Sequence, residues 1–415
     1  MPSNKTVSDA PITQFINCQI LKDHKLHRED LWVRDGRILD PEKLFFDEQG
    51  YADRQLDCGG DILAPGFIDV QINGGYGVDF SQPSGGTGAG VALVATKVLE
   101  HGVTSFCPTL VTSPPHVYHQ GSIWRGRSSV WRRRVPTQSG SSVPSGGPRG
   151  PGGPRGPRGP GGPGGPRGPR GSGGVDQLLE VYGCLDNVAI VTLAPELAGS
   201  QSVIEELCHR GITVSLGRRG LGVRSTRPGV PLLAAKSGAV RRKQIYTLTM
   251  AEEAVQQGAS FITHLFNAML PFHHRDPGIV GLLTSDQIPA DRLVFYGMIA
   301  DGIHTNPAAL RIAHRAHPTG LVLVTDAITA MGLPPGRHTL GQQVIEIQGL
   351  HAYVAGTTTL SGSIATMDMC VRHFKHASGC SVPEALEAAS LHPAQLLGIS
   401  SRKGSLQYGS DAGKI

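Results

Sequence analysis

Two residues, His264 and Asp326, each close an apolar run, and polar side chains in that position can be held rigidly against a reacting group. In Thr263-His264-Leu265-Phe266-Asn267-Ala268-Met269, the imidazole of His264 can ligate a metal ion or serve as a hydrogen-bonded structural group. Asn267 and the backbone beside it can reach a substrate from the same segment. Asp326 ends Leu321-Val322-Leu323-Val324-Thr325. A capping role is weakened because Gly332, Pro334, Pro335 and Gly336 follow too soon for a good helix. A carboxylate there, beside a metal-activated water, can take the water's proton and pass it to a leaving amine. Three further stretches are ambiguous by themselves. Arg275 in Arg275-Asp276-Pro277-Gly278 can grip a phosphate through its planar fork, or be a solvated loop charge. Asp301-Gly302-Ile303-His304 is either a turn or a place where backbone and imidazole meet an anion. Leu360-Ser361-Gly362-Ser363 reads as a helix N-cap whose N–H groups can also bind a substrate oxygen.

These residues need a scaffold, and the hydrophobic pattern supplies one. Apolar runs at Phe67–Gln71, Val103–Thr109, Val188–Thr192, Ser260–His264, Phe295–Asp301 and Leu321–Asp326 predict strands. Helical patterns at Val91–Glu100, Val203–His209, Ala251–Gln257, Pro307–Arg315 and Pro383–Ser390 alternate with them. Such alternation predicts an α/β fold with a parallel sheet, and enough units are present for a (β/α)8 TIM-type barrel. In a barrel the C-terminal strand ends carry the chemistry, which groups His264, Asp301, His304 and Asp326. Before this, residues 12–63 alternate in short bursts and predict a small β-domain, with strands at Phe15–Leu21, Leu31–Val33 and Arg37–Leu39.

Two segments break the pattern. Residues 119–174 carry ten Arg and no acid, with Gly at every third position from Gly147 to Gly171. Residues 218–248 are basic and aperiodic. Neither can bury enough apolar surface to fold alone, and both read as insertions or replacements. The Gly-Pro-x triplets mimic collagen, which needs three chains. Of the 38 Lys and Arg, eighteen lie in residues 119–174 and 217–243, so the rest carries 20 against 33 acidic residues. The formal charge of +5 is therefore no argument for nucleic-acid binding. The seven cysteines lack Cys-x-x-Cys spacing, no run is long enough to span a membrane, and residues 1–10 have no signal-peptide pattern, so a cytoplasmic location is expected.

Together the motifs resemble the N-acetylglucosamine-6-phosphate deacetylases of the amidohydrolase superfamily. The resemblance runs through Ala64-Pro65-Gly66-Phe67-Ile68-Asp69-Val70-Gln71-Ile72-Asn73-Gly74-Gly75, Thr263–Met269, Arg275–Gly278, Asp301–His304, Val324–Ala327 and Leu360–Ser363. Gln71-Ile72-Asn73 stands where most of the superfamily has His-x-His. The resemblance implies a barrel over residues 64–403, interrupted by 119–174 and 218–248. It also implies a small β-sandwich from 12–63, with 404–415 as its truncated return. It implies hydrolysis of N-acetylglucosamine 6-phosphate to glucosamine 6-phosphate and acetate, with one divalent metal ion per subunit, zinc, and a homodimer that binds neither nucleic acid nor membrane. Asp326 resembles the catalytic acid/base and His264 a metal ligand. Asn267, Ala268, Arg275, Asp301, Gly302, Ile303, His304, Leu360, Ser361 and Gly362 resemble substrate contacts, with Arg275 and His304 at the phosphate. Two motifs depart from the family: Leu-Glu-Gly-Pro-Phe, whose Glu is a metal ligand, is absent, and Arg218 follows Ser215-Leu216-Gly217 where the family has His. A non-catalytic binding protein of the same family is the alternative.

Overall fold

The computed structural model describes residues 8–82, 87–111, 113, 115–121, 173–197, 199–217, 247–340 and 343–413. Most of the Gly/Pro/Arg tract and of the basic segment, including Arg218, lies outside the described residues.

The N-terminal strands are β1 (Thr13–Ile16), β2 (Gln19–Lys22), β3 (Lys25–His27), β4 (Leu31–Arg34) and β5 (Arg37–Ile38). A short helix α1 (Pro41–Phe46) and strands β6 (Arg54–Asp57) and β7 (Ile62–Leu63) follow. They form two sheets, ordered β5-β4-β1-β6 and β3-β2-β7, with Phe15, Cys18, Ile20, Leu31 and Ile38 in one shared core. The expected single strand over Phe15–Leu21 is two strands. Asn17, at φ 52°, breaks it and sends β2 to the second sheet. The end of the chain meets this unit at its edge. The Ile38 N–H donates to the Ser410 carbonyl at 3.0 Å, and the Ala412 N–H to the Gly36 carbonyl at 2.8 Å. Arg37 pairs with Asp411 at 2.6 Å, so a short return to the sheet is present.

Beyond it come β8 (Phe67–Ile72), the hairpin β9 (Gly74–Gly75) and β10 (Val78–Asp79), α2 (Thr87–Leu99), β11 (Val103–Pro108), α3 (Pro115–Gly121) and α4 (Gly173–Tyr182). Next are β12 (Ile190–Leu193), α5 (Ser200–His209), β13 (Thr213–Leu216), α6 (Leu248–Gln256), β14 (Phe261–Ile262), β15 (Phe295–Ile299), α7 (Pro307–Ala316) and β16 (Leu321–Val324). Strands β12-β13-β14-β15-β16 form one parallel sheet in chain order, and β11 pairs parallel with β8. The Asp326 N–H donates to the Gln71 carbonyl at 2.9 Å, which brings the end of β16 against β8. Seven strands therefore run in the order β11, β8, β16, β15, β14, β13, β12. Parallel strands are covered on both faces, which explains continuous apolar runs such as Leu321–Val324, all buried. Ile68, Val70, Phe261, Phe295, Val322 and Val324 pool β8, β14, β15 and β16 into one core.

After β16 the chain makes an antiparallel meander of β17 (Gly336–Leu340), β18 (Gln343–Gln348), β19 (His351–Val354) and β20 (Leu360–Gly362). Helices α8 (Met367–Ser378), α9 (Val382–Glu387) and α10 (Leu391–Leu396) complete it. The meander corrects the N-cap reading of Leu360–Ser363. Leu360–Gly362 is a strand paired with β19, and the residue that caps α8 is Thr366.

Candidate active site

Four strand ends meet around Asp326. Its backbone is held at φ 45°, in the left-handed region that is uncommon for residues other than glycine. The Asn73 amide donates to its Oδ1 at 2.8 Å, and the Asn73 N–H donates to the Ala327 carbonyl at 2.8 Å. Ala327 bridges to Ser363, which carries the end of β20 to the same bend. Gly362, at φ 156°, is required there, since a Cβ would lie 2.6 Å from the Ile328 side chain. Ser363 thus reaches the residue after Asp326, and Leu360, Ser361 and Gly362 form the short strand that leads to it.

His264 follows β14 and is also strained, at φ 25°, with Phe266 at 72° and Ala268 at 54°. Strained non-glycine residues concentrated in one loop mark a segment shaped for a task. The loop is held by the Leu265 N–H donating to the Gly297 carbonyl at 2.7 Å and the Asn267 N–H to the His264 carbonyl at 2.9 Å. His264 Nδ1 is buried with no hydrogen-bond partner among the described residues, so its imidazole is free to meet a ligand.

At the end of β15, Asp301 is almost fully buried, with 2% of its side chain exposed. Its Oδ1 accepts from the Ile303 and His304 N–H groups at 2.9 and 2.8 Å, and its Oδ2 pairs with His304 Nδ1 at 2.5 Å. Burial opposes the Asp301 charge, but these bonds from His304 and Ile303 outweigh it and hold the carboxyl below its ordinary value. The same Asp301 bond raises His304 above its ordinary value against the cost of burial, and the Asp326 carboxylate adds to the effect. His304 is therefore biased toward the imidazolium, facing Asp326 electrostatically. Gly302, at φ 78°, packs on the His373 ring, where a Cβ would lie 3.0 Å away. Arg275 is exposed on the loop after β14, and its guanidinium has no partner among the described residues.

The residues that link these ends belong to the first-strand motif, where the sequence reading gave them no role in the site. Asp69, Gln71 and Asn73 alternate along β8 and just past it. The Thr325 hydroxyl donates to Asp69 Oδ2 at 2.5 Å, and the Thr263 hydroxyl donates to Gln71 Oε1 at 2.8 Å. Burial pushes the Asp69 carboxyl up to about 7, against the bonds from Thr325 and Gln71 and with the Asp326 charge adding to the rise. The alternation of polar residues inside an apolar strand was the available signal.

The donors available to a metal ion are few. Among the described residues no three His, Cys, Asp or Glu side chains converge on one point. The segments outside them contain none of these residue types, and the one such side chain in α3 left undescribed is that of residue 119, a histidine. Glu196 lines a cavity of about 310 Å³ between α5 and α6, with Gln201, Met250, Glu253 and Gln257, and His264 is not part of that lining. A catalytic zinc site needs about three protein donors, and the arrangement around His264 does not fit one.

Comparison with known proteins places the chain. Residues 243–415 match the Amidohydrolase family. A Danio rerio N-acetylglucosamine-6-phosphate deacetylase is 65% identical over 99% of this chain and 94% of its own length. The Homo sapiens protein of that name is 59% identical over 99% and 93%. Among solved structures, the Pasteurella multocida deacetylase superimposes with a TM-score of 0.67 at 22% identity, covering 97% of this chain and 94% of that one. A Mycobacterium smegmatis deacetylase, a point variant in complex with N-acetyl-D-glucosamine-6-phosphate, gives 0.66 at 23%, covering 98% and 94%. With sequence identities of 59–65% to curated relatives over almost the whole chain, the protein belongs to the family of N-acetylglucosamine-6-phosphate deacetylases.

Proposed function

We propose that this protein hydrolyses the acetamide of N-acetylglucosamine 6-phosphate, releasing acetate and glucosamine 6-phosphate. The observation that carries the reading is Asp326, held in a strained bend by Asn73 beside the His304–Asp301 pair, in a chain related throughout to such deacetylases. In this reading the Asp326 carboxylate takes the proton of the attacking water and returns it to the departing amine nitrogen. Asp301 occupies His304 Nδ1, so Nε2 remains to donate toward the phosphate. Arg275 adds a second charge to that end, and the backbone of Leu360–Gly362 with Asn267 and Ala268 borders the sugar. The relatives do not favour a non-catalytic reading.

The family implies a divalent metal ion. His264 is one donor suited to zinc, but the side chains around it do not complete the set. The assay is therefore run with added divalent cation. The seven parallel strands are read as part of an eight-stranded barrel over 64–403, with 12–63 as a small β-sandwich domain, and the protein as a homodimer. No helix among the described residues is long and apolar enough to cross a membrane. The test is acetate release from the phosphorylated sugar. Asp326→Asn is expected to lower kcat by roughly a hundredfold or more. Undiminished release by that variant sinks the role given to Asp326.

A further inference from the structure

We propose that Asp69, Gln71 and Asn73 are positioning residues, a three-rung polar ladder on β8 that fixes Asp326 and His264 relative to one another. The inference rests on the acid/base reading of Asp326. Each rung grips a different place. Asp69 binds Thr325, the residue before Asp326, through the hydroxyl at 2.5 Å and the N–H at 3.4 Å. Gln71 binds the hydroxyl of Thr263, the residue before His264, at 2.8 Å. Asn73 binds Asp326 itself at 2.8 Å. One strand therefore holds two strand ends that are not neighbours, since β14 and β16 are separated by β15.

The burial of the ladder argues against an incidental network. Asp69 is 1% exposed, Thr325 2% and Thr263 5%. Polar groups this deep cost stability unless paired, and an all-apolar strand would serve packing as well. What the ladder adds is restraint. Asp326 and His264 both have positive φ, a conformation that persists only where its surroundings over-determine it. Thr263 and Thr325 sit immediately before those two strained residues, and each is anchored to the same rigid strand. A misplacement of about 1 Å at a reacting group can cost roughly a hundredfold in rate, so restraint of this kind bears on turnover.

The test compares hydroxyl deletion with hydroxyl retention in the full chain. Thr263→Val and Thr325→Val remove a rung's partner at nearly constant shape, while Thr263→Ser and Thr325→Ser keep the donor. Two readouts are taken: amide hydrogen exchange by segment, and kcat against KM. The Val variants are expected to speed exchange in residues 263–268 or 325–328 respectively, and to lower kcat roughly ten- to a hundredfold at little-changed KM. The Ser variants are expected to retain most of the parent behaviour. The ladder is overturned if Val and Ser variants behave alike, or if exchange quickens evenly over the whole molecule, as simple destabilisation would produce. If the parent itself releases no acetate, the acid/base reading fails separately, and the exchange pattern still decides whether β8 restrains the two ends.

Discussion

Asp69 is a buried carboxyl whose titration should be visible in stability. Its value in the folded protein, about 7, lies above the ordinary 3.8, so folding takes up a proton between those two pH values. The Asp69 contribution is therefore complete below about pH 4 and is lost as pH rises through about 7. Asp326, Cys107 and Cys370 are the titratable groups that interact with it. Asp69→Asn removes the ionisation and keeps the shape. Denaturant melts of the variant at pH 4 and pH 7.5 should show less loss of stability with rising pH than the parent, by up to ~4 kcal/mol. Equal slopes would place the Asp69 titration elsewhere. His304 gives a second pH signature, through binding. It is raised by Asp301 and so carries its charge further toward neutrality than a free imidazole. Affinity for glucosamine 6-phosphate, measured by calorimetry, should fall as pH rises through the His304 value above about 6.5. His304→Gln should abolish that fall.

Among the elements, β20 meets the Asp326 bend through the Ala327–Ser363 bridge. Gly362→Ala would set a methyl 2.6 Å from Ile328 and force β20 away from the Asp326 bend. The cost should be about 1–3 kcal/mol in a thermal melt, accompanied by a raised KM, since Leu360–Gly362 would leave the sugar side. Helix α9 offers a contrast away from the chemistry. Ser381 and Glu384 form a reciprocal capping box, and Pro383 occupies the first turn. Ser381→Ala should cost about 1 kcal/mol and leave KM alone. These two elements also differ in legibility. The boundary of α9 is written locally, in Ser-Val-Pro-Glu. The meander β17–β20 was not read from the sequence: Ile345 and Ile347 alternate with Glu346 in β18, but β17 and β20 are short and partly exposed. A reading of Leu360–Ser363 as a cap followed from that. The strand ends at Ile299 and Val324 were legible because unbroken burial demands unbroken apolar runs.

For the molecule as a whole, the donor inventory makes a prediction about metal. Nearly every His, Cys, Asp and Glu lies among the described residues, and no three converge. A lone imidazole holds zinc weakly beside a three-donor site. Purified protein, dialysed and analysed by mass spectrometry for metals, should carry well under one equivalent, and acetate release should depend on free divalent cation. One full equivalent surviving dialysis would show a donor set different from that around His264. The relatives match almost the whole chain, yet among the described residues no three His, Cys, Asp or Glu side chains gather as a metal site would require.

The sequence alone determined the parallel α/β architecture, since strands buried on both faces must be apolar and their polar ends must stand out against them. It also determined the chemical types at those ends: His264, Asp301, His304 and Asp326. Only the tertiary structure decided who holds whom. Asp69 meets Thr325 across 256 residues, Gln71 meets Thr263 across 192, and Asn73 meets Asp326 across 253. A hydrogen bond between residues so far apart leaves no local pattern. The positive-φ bends at His264 and Asp326 likewise appear only in the folded chain, in residue types that tolerate that region better than most.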